Sequence, residues 1–408
     1  MERYATVILG GGMVAGYAVK ELAGHGLKPG DLAIVSADDT PPYERPPLSK
    51  GFLAGKKDAA SVLINAPDFY LGHGITLLLN TTVTKVDFQN KRLLTSTGDQ
   101  IEYGRLVIAT GARVRKLEIP GADSEGICYL RSLDDSRRIR EQAQGAKRAA
   151  IVGSGFIGME VAAVLAQQGL DITLLFPGER VWQAFFTPQM SAAFQRYYEA
   201  RGVKLVPGAR VSGFAGDGRV SQVELQDGRK LPAELVVAGI GVVPVVDLFQ
   251  DTDLRLENGI AVNEYLETEI AQVYAAGDVA SYWDVLFRKR RRIEHWDNAV
   301  EQGKHLARLL MGEHLPFEHV PYFFSDVFDL SYEFWGDSSE ADHVVHRGDI
   351  DGMSFSVWWL KRGHLVAAFV LNRPDQERDL APAWIKDRKE IPADLLEDAS
   401  RPLHTLQE

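Results

Sequence analysis

The sequence predicts an α/β fold in which a βαβ unit with a glycine-rich loop occurs twice and a small C-terminal α+β domain follows. Three observations predict it. The apolar run at residues 5–9 ends in Gly10-Gly11-Gly12, opens a helical pattern reaching Gly24, and returns as a strand over residues 32–35. The run at residues 148–152 ends in Gly153-Ser154-Gly155-Phe156-Ile157-Gly158, opens a helix over residues 159–168, closes at Gly169 and returns as a strand over 171–176. From Pro321 the pattern changes to alternating, aromatic-rich strands. Two of them, residues 353–360 and 364–371, face each other across Lys361-Arg362-Gly363 as an antiparallel hairpin.

Each βαβ copy is followed by a similar series of strands. After the first they fall at residues 82–87, 92–96 and 106–109, and after the second at 203–206, 220–225 and 235–238. The expected division is a discontinuous first domain at 1–115 and 246–320, an inserted second domain at 116–245, and a third at 321–408.

Composition narrows the functions. With 408 residues, 45% of them hydrophobic and 25% charged, the chain has enough apolar material for several cores. A net charge of −11 argues against nucleic acid as the main partner, because phosphate binding needs a basic face. The three glycines cut short the N-terminal apolar run, so it does not read as a signal peptide, and no segment is long and apolar enough to span a bilayer. The single cysteine, Cys128, excludes an internal disulfide and a dithiol redox pair, and points to the cytoplasm. His314 and His319 read as surface residues whose spacing fits no metal site, so no metal is expected. Arg347-Gly348-Asp349 reads as a turn.

The two loops carry the chemistry. In G-x-G-x-x-G/A the first glycine permits a tight turn, the second lets backbone approach a pyrophosphate, and the third lets helix and strand pack closely. Gly10, Gly12 and Ala15 fill these places in the first copy, and Gly153, Gly155 and Gly158 in the second, with Phe156 and Ile157 between them. Each helix start then offers unpaired N–H groups to phosphate. Two such loops make two Rossmann-like dinucleotide-binding domains. Without a cysteine pair, the redox bridge is expected to be a flavin nucleotide in one loop serving a nicotinamide nucleotide in the other. An acid for the ribose hydroxyls follows each second strand: Asp38, slightly late, in the first copy and Glu179 in the second. Glu179 favours NADH by repelling a 2′-phosphate, while Arg180 beside it favours NADPH.

Pro42-Tyr43-Glu44-Arg45-Pro46-Pro47-Leu48-Ser49-Lys50 resembles the signature of one flavoprotein group: the monodehydroascorbate reductases, apoptosis-inducing factor and the oxygenase-coupled ferredoxin reductases. Ala109-Thr110-Gly111-Ala112-Arg113, Gly239-Ile240-Gly241, Tyr274-Ala275-Ala276-Gly277-Asp278 and the stretch from Arg291 through Glu294, His295 and Trp296 to Asp297 follow in family order. The resemblance implies a glutathione-reductase-like architecture, with FAD in the first domain and NADH, or alternatively NADPH, in the second. It also implies roles. Arg45 would meet the FAD pyrophosphate with its guanidinium fork. Lys50 would reach the flavin edge and pair with Glu160 beside the hydride-accepting atom, where an ion pair orients the nicotinamide and steadies developing charge. Asp278 would accept from ribityl hydroxyls, Val83 would touch the adenine, and Ala109, Thr110, Gly111, Arg113, Arg131, Gly277, Glu294 and His295 would line the flavin nucleotide. Trp296 and Phe324 would lie against the isoalloxazine, and Gly241 would belong to the nicotinamide side.

The implied activity is a flavin-dependent NAD(P)H reductase passing electrons to ferredoxin, rubredoxin, a quinone or monodehydroascorbate, acting as a monomer or homodimer. The alternative is an NADH-responsive redox sensor or scaffold resembling apoptosis-inducing factor. Two departures bear on the choice. The arginine with which monodehydroascorbate reductases hold their anionic substrate falls on Val300, and the usual FAD-ribose acid falls on Ala37. The run from Arg288 to Arg292 would offer a ferredoxin-type carrier a basic docking face.

Overall fold

The computed structural model describes residues 2–406. Among them are eight α-helices: α1 (Met13–Ala23), α2 (Pro67–Gly72), α3 (Leu133–Gln144), α4 (Phe156–Gln167), α5 (Pro188–Glu199), α6 (Trp296–Leu310), α7 (Asp375–Lys386) and α8 (Ala393–Glu397). The chain divides into two compact units. The first comprises the chain to Arg45, Ala59–Arg113 and Val242–His319, and the second Pro46–Asp58, Val114–Gly241 and the chain from Val320.

The first unit is built on a seven-stranded sheet. Its order is Thr76–Leu78, Leu32–Val35, Glu2–Leu9, Gln100–Ile108, Arg92–Thr95 and Val83–Asp87, with Val273–Ala275 parallel to Gln100–Ile108. The central strands pair in parallel and read as continuous apolar runs because both faces are covered. Helix α1 packs on α6 so closely that a Cβ on Gly303 would lie 2.8 Å from the Val14 carbonyl.

The second unit contains a parallel five-stranded sheet, ordered Lys204–Val206, Asp171–Leu175, Arg148–Val152, Leu235–Ala238 and Ile127–Tyr129. A five-stranded antiparallel sheet follows in the order Tyr322–Val327, Leu330–Gly336, His364–Leu371, Ser354–Lys361 and His343–Asp349. The hairpin turn expected at residues 361–363 forms with φ of 51° at Arg362 and 79° at Gly363, the paired positive angles a tight two-residue connection requires. An aromatic cluster joins α5 to this sheet: Phe194 lies 5.4 Å from Tyr332, Phe186 5.3 Å from Phe369, and Trp182 5.8 Å from Tyr332, all edge-on.

Arg347-Gly348-Asp349 is not a turn but the end of strand His343–Asp349, with Arg347 only 2% exposed. Its guanidinium donates to Glu377 at 2.9 Å and to the carbonyls of Leu396 at 3.0 Å, Asp398 at 2.5 Å and Arg401 at 2.6 Å. Arg373 and Ser356 also donate to Glu377. Strand periodicity could not distinguish this buried clamp from an exposed loop, because its partners lie far along the chain.

Candidate functional site

In the first unit, Gly10 sits where two strands end. Its φ is 120°, and a Cβ there would come 2.2 Å from the Ala109 carbonyl. Gly12 begins α1 with no side-chain cap, and the Arg45 guanidinium stands 4.0 Å from where a Gly12 Cβ would be. Ala15 is fully buried in the first turn. Gly277 has φ of 76°, and its N–H donates to Gln302 at 2.7 Å. It starts the short 3-10 turn Gly277–Val279, where Asp278 is half-buried. The Asp38 carboxylate accepts from the Thr40 N–H at 3.1 Å and the Tyr43 hydroxyl at 3.0 Å. About two of its four lone-pair positions remain for a ribose.

Val83 is half-buried at the start of its strand. Thr110 donates to the Val245 carbonyl at 2.9 Å, and Gly111 has φ of 67°. Arg113 is turned to Asp247, with both side chains about half exposed. His295 occupies the N-cap position of α6 without a side-chain cap bond, and burial pulls its imidazole down to about 4, which makes it neutral at pH 7. Trp296 opens α6, and its indole N–H donates to Glu44 at 2.5 Å while Tyr17 donates to the same carboxylate at 2.5 Å. Glu44 was legible only as part of a motif, and its role as a clamp between α1 and α6 is visible in the fold alone.

The basic run is engaged in part, with Arg288 exposed and Lys289 half-buried. Arg290 donates to the Val262 carbonyl at 2.9 Å, Arg291 pairs with buried Asp284 at 3.0 Å, and Arg292 donates to the Asp278 carbonyl at 3.0 Å and to exposed Glu294 at 2.5 Å. His319 is likewise more than a surface residue, pairing with Asp297 at 2.5 Å. Val300 is 3% exposed within the apolar core.

In the second unit, Gly153 has φ of 110° and Gly158 is closed to any side chain, since a Cβ would lie 1.9 Å from the Gly153 carbonyl. A Cβ at Gly155 meets nothing within 4 Å, and Gly155 begins α4 without a side-chain cap. Helices α3 and α5, by contrast, are capped by Ser132 and Thr187. The two helices that follow the glycine loops thus keep their first N–H groups for an anion, and both loops fit a dinucleotide pyrophosphate. Gly158→Ala should weaken NADH binding at least about tenfold while leaving bound flavin in place, read by coenzyme titration; unchanged affinity would contradict the close packing.

Helix α4 begins three residues earlier than its apolar pattern suggested, which places Glu160 beyond the first turn. Its carboxylate, 4% exposed, accepts from Lys50 at 2.7 Å, from Ser325 at 2.6 Å and from Ser49. The Lys50 ammonium lies 5.4 Å from the Phe324 ring centre. Lys50 stays near α3 and α4 because Ser136 donates to the Leu48 carbonyl at 2.7 Å and Arg140 lies 5.4 Å over Phe52. Neither Ser49 nor Ser325 stood out in the sequence. Their only signal was adjacency to Lys50 and Phe324. Phe156 packs edge-on against Phe323 at 4.7 Å, whereas Ile157, Glu179 and Gly241 are exposed. Arg131 is half-buried before α3, its N–H donating to Asp135 at 2.9 Å. Cys128 is buried, and desolvation pushes its thiol up to about 11. Among the described residues no group of side chains could hold a metal.

The profile of the pyridine nucleotide-disulphide oxidoreductase family matches residues 4–303. The chain belongs to this family. A reductase C-terminal profile matches residues 322–407. The chain is 39% identical to monodehydroascorbate reductase 4, peroxisomal, of Arabidopsis thaliana over 95% of its own length and 85% of that protein's. It is 35% identical to the monodehydroascorbate reductase of Solanum lycopersicum, over 93% of its own length and 94% of that protein's. Among solved structures, it superposes on putidaredoxin reductase in its covalent complex with putidaredoxin with a TM-score of 0.95 at 33% identity, covering 99% of this chain and 98% of that one. It superposes on the ferredoxin reductase for the CYP199A2 system of Rhodopseudomonas palustris with a TM-score of 0.94 at 32% identity, covering 99% and 100%. This family member is a flavin-dependent NAD(P)H reductase with Rossmann-like sheets, using FAD and a nicotinamide coenzyme. It lacks the dithiol that the family name describes, having one cysteine in all.

Proposed function

We propose that the chain carries electrons from NADH to an external acceptor, a ferredoxin-type iron–sulfur protein. The observation that carries this reading is Cys128: the only thiol is buried and held protonated, so no internal disulfide can receive the electrons and they must leave the protein. FAD, when bound, supplies the group that takes the nicotinamide's hydride and releases electrons. The residues of this chain do the rest. The first loop, with Gly10, Gly12, Ala15 and Arg45, holds the FAD pyrophosphate, and Asp38, Val83, Thr110, Gly111, Gly277 and Asp278 hold the remainder. The second loop holds the coenzyme. Lys50, fixed by Glu160, sets a positive charge for the hydride step. The three-domain division follows, with residues 116–245 as the coenzyme domain and 321–408 as a smaller companion.

The similarity of the solved ferredoxin and putidaredoxin reductases supports the acceptor class, as does Val300, which offers no charge to an anionic small substrate. The monodehydroascorbate radical is the second reading, favoured by 39% identity to a reductase of that name. Among the described residues no helix is long and apolar enough to cross a membrane, and the charge of −11 disfavours nucleic acid. We place the reductase in the cytoplasm, as a monomer or homodimer. Anaerobic stopped-flow mixing with NADH, followed by ferredoxin or by enzymatically generated radical, tests the reading. Rapid bleaching and rapid recovery with ferredoxin alone supports it. Recovery with the radical alone supports the second reading, and slow bleaching that neither acceptor reverses would mark a redox sensor.

NADH is the expected coenzyme. The Arg180 guanidinium turns into its own loop, donating to the Phe186 carbonyl at 2.5 Å, the Ser191 hydroxyl at 3.0 Å and the Gln183 carbonyl at 3.4 Å, while Glu179 is exposed. A 2′-phosphate placed here would therefore meet an exposed acid beside an arginine already engaged by its own fold. NADH should exceed NADPH in kcat/KM by at least about tenfold, and Glu179→Gln should narrow the gap. If Arg180→Ala selectively damaged NADPH use, the assignment would fail.

A further inference from the structure

We propose that Ser325 is a positioning residue for the Lys50–Glu160 pair, so that the C-terminal sheet completes the charge geometry of the hydride step. The inference rests on the proposed role of that pair.

Strand Tyr322–Val327 is the edge strand of the C-terminal sheet. Because side chains alternate along a strand, its two faces present different chemistry. One face carries Phe323 and Ser325, both buried, with Phe323 4.7 Å from Phe156 and Ser325 2.6 Å from Glu160 Oε1, so this face lies along α4. The other face carries Phe324, whose ring lies beneath the Lys50 ammonium. Consecutive residues of one strand therefore act on both members of the ion pair.

Glu160 Oε1 receives Lys50 and Ser325, and Oε2 receives Ser49. A carboxylate at 4% exposure cannot borrow water in place of a missing donor. It would rotate toward the donors it retains, carrying the Lys50 ammonium with it. Ser49 is local to Lys50, whereas Ser325 is fixed to a separate sheet whose backbone does not follow the Lys50 segment. Ser325 is thus the donor that anchors the carboxylate against movement of its partner.

The test is a double-mutant cycle on the intact flavoprotein. Stopped-flow reduction by NADH is measured for wild type, Ser325→Ala, Glu160→Gln and the double variant, with flavin content and melting temperature as controls. Ser325→Ala should slow the limiting reduction rate about tenfold with little change in NADH affinity, and Ser325→Thr, which keeps the hydroxyl, should recover part of the loss. In the Glu160→Gln background the Ser325→Ala effect should vanish, because nothing remains to be positioned. An equal Ser325→Ala effect in both backgrounds, or none in the wild type, would overturn the proposal while leaving the pair's role intact. If Glu160→Gln itself does not slow reduction, the role of the pair fails and the proposal falls with it. Should Ser325→Ala lose its flavin, Ser325→Thr alone decides, since a filler role predicts that the larger side chain harms the rate and the positioning role predicts that it preserves much of it.

Discussion

Glu160→Gln should slow reduction by NADH roughly a hundredfold, the usual scale for removing one preorganised electrostatic contact from an active site. Glutamine matches the carboxylate in shape but carries no charge. Its amide would offer donors where Lys50, Ser49 and Ser325 already donate, so at least one close contact must open. The ammonium then loses its anion and keeps only the face of Phe324. Stopped-flow bleaching at saturating NADH reads the effect directly, and the recovery rate with acceptor should change far less. A loss under about threefold would place the pair outside the hydride step.

Arg347→Ala should destabilise the second unit by about 3–5 kcal/mol, because it leaves a buried carboxylate undercompensated and three carbonyls without their donor. In calorimetry this is a melting shift of roughly 10 °C. Replacing Arg347 and Glu377 together by apolar residues should cost much less than either single change. An Arg347→Ala cost below about 1 kcal/mol would show the clamp to be dispensable. The same network makes a pH prediction. Burial alone would raise the Glu377 carboxyl, but hydrogen bonds from Arg373, Ser356 and Arg347 outweigh it and hold the group below its ordinary 4.5. A depressed folded value stabilises fully above the unfolded one and is lost as pH falls through it. Wild type should therefore lose stability as pH drops below about 4.5, and Glu377→Gln should flatten that part of the curve.

What the sequence disclosed was local. Both glycine loops, the strands that precede them and the Arg362-Gly363 turn are short-range constraints of sterics and backbone angle, and the structure places them within a few residues of expectation. The partners of charged groups were not legible. Arg180 and the arginine run looked available for phosphate or protein, yet the guanidiniums of Arg180, Arg290, Arg291 and Arg292 are partly engaged by carbonyls and acids of their own fold. Arg347 looked like a turn because its burial depends on α8 and the chain beyond it. Ser325 looked like any strand serine, since the acid it serves lies 165 residues away. Pairing at such separations follows from topology, and no window of sequence contains it.

The interleaving of the two units has a consequence for synthesis on the ribosome. The first unit needs Val242–His319 before it can close, and the second needs the chain from Val320. Residues 2–108 already carry six of the seven strands of the first unit's sheet, and the parallel sheet drawn from Val114–Gly241 follows them, while Pro46–Asp58, already made, waits for it. Two partial sheets should thus form in chain order, and each unit should close only when its late segment emerges, the first unit before the second. A ribosome stalled near residue 310 would hold one nearly complete unit and one half-built, with Phe156, Trp182 and Phe194 still lacking the sheet that covers them.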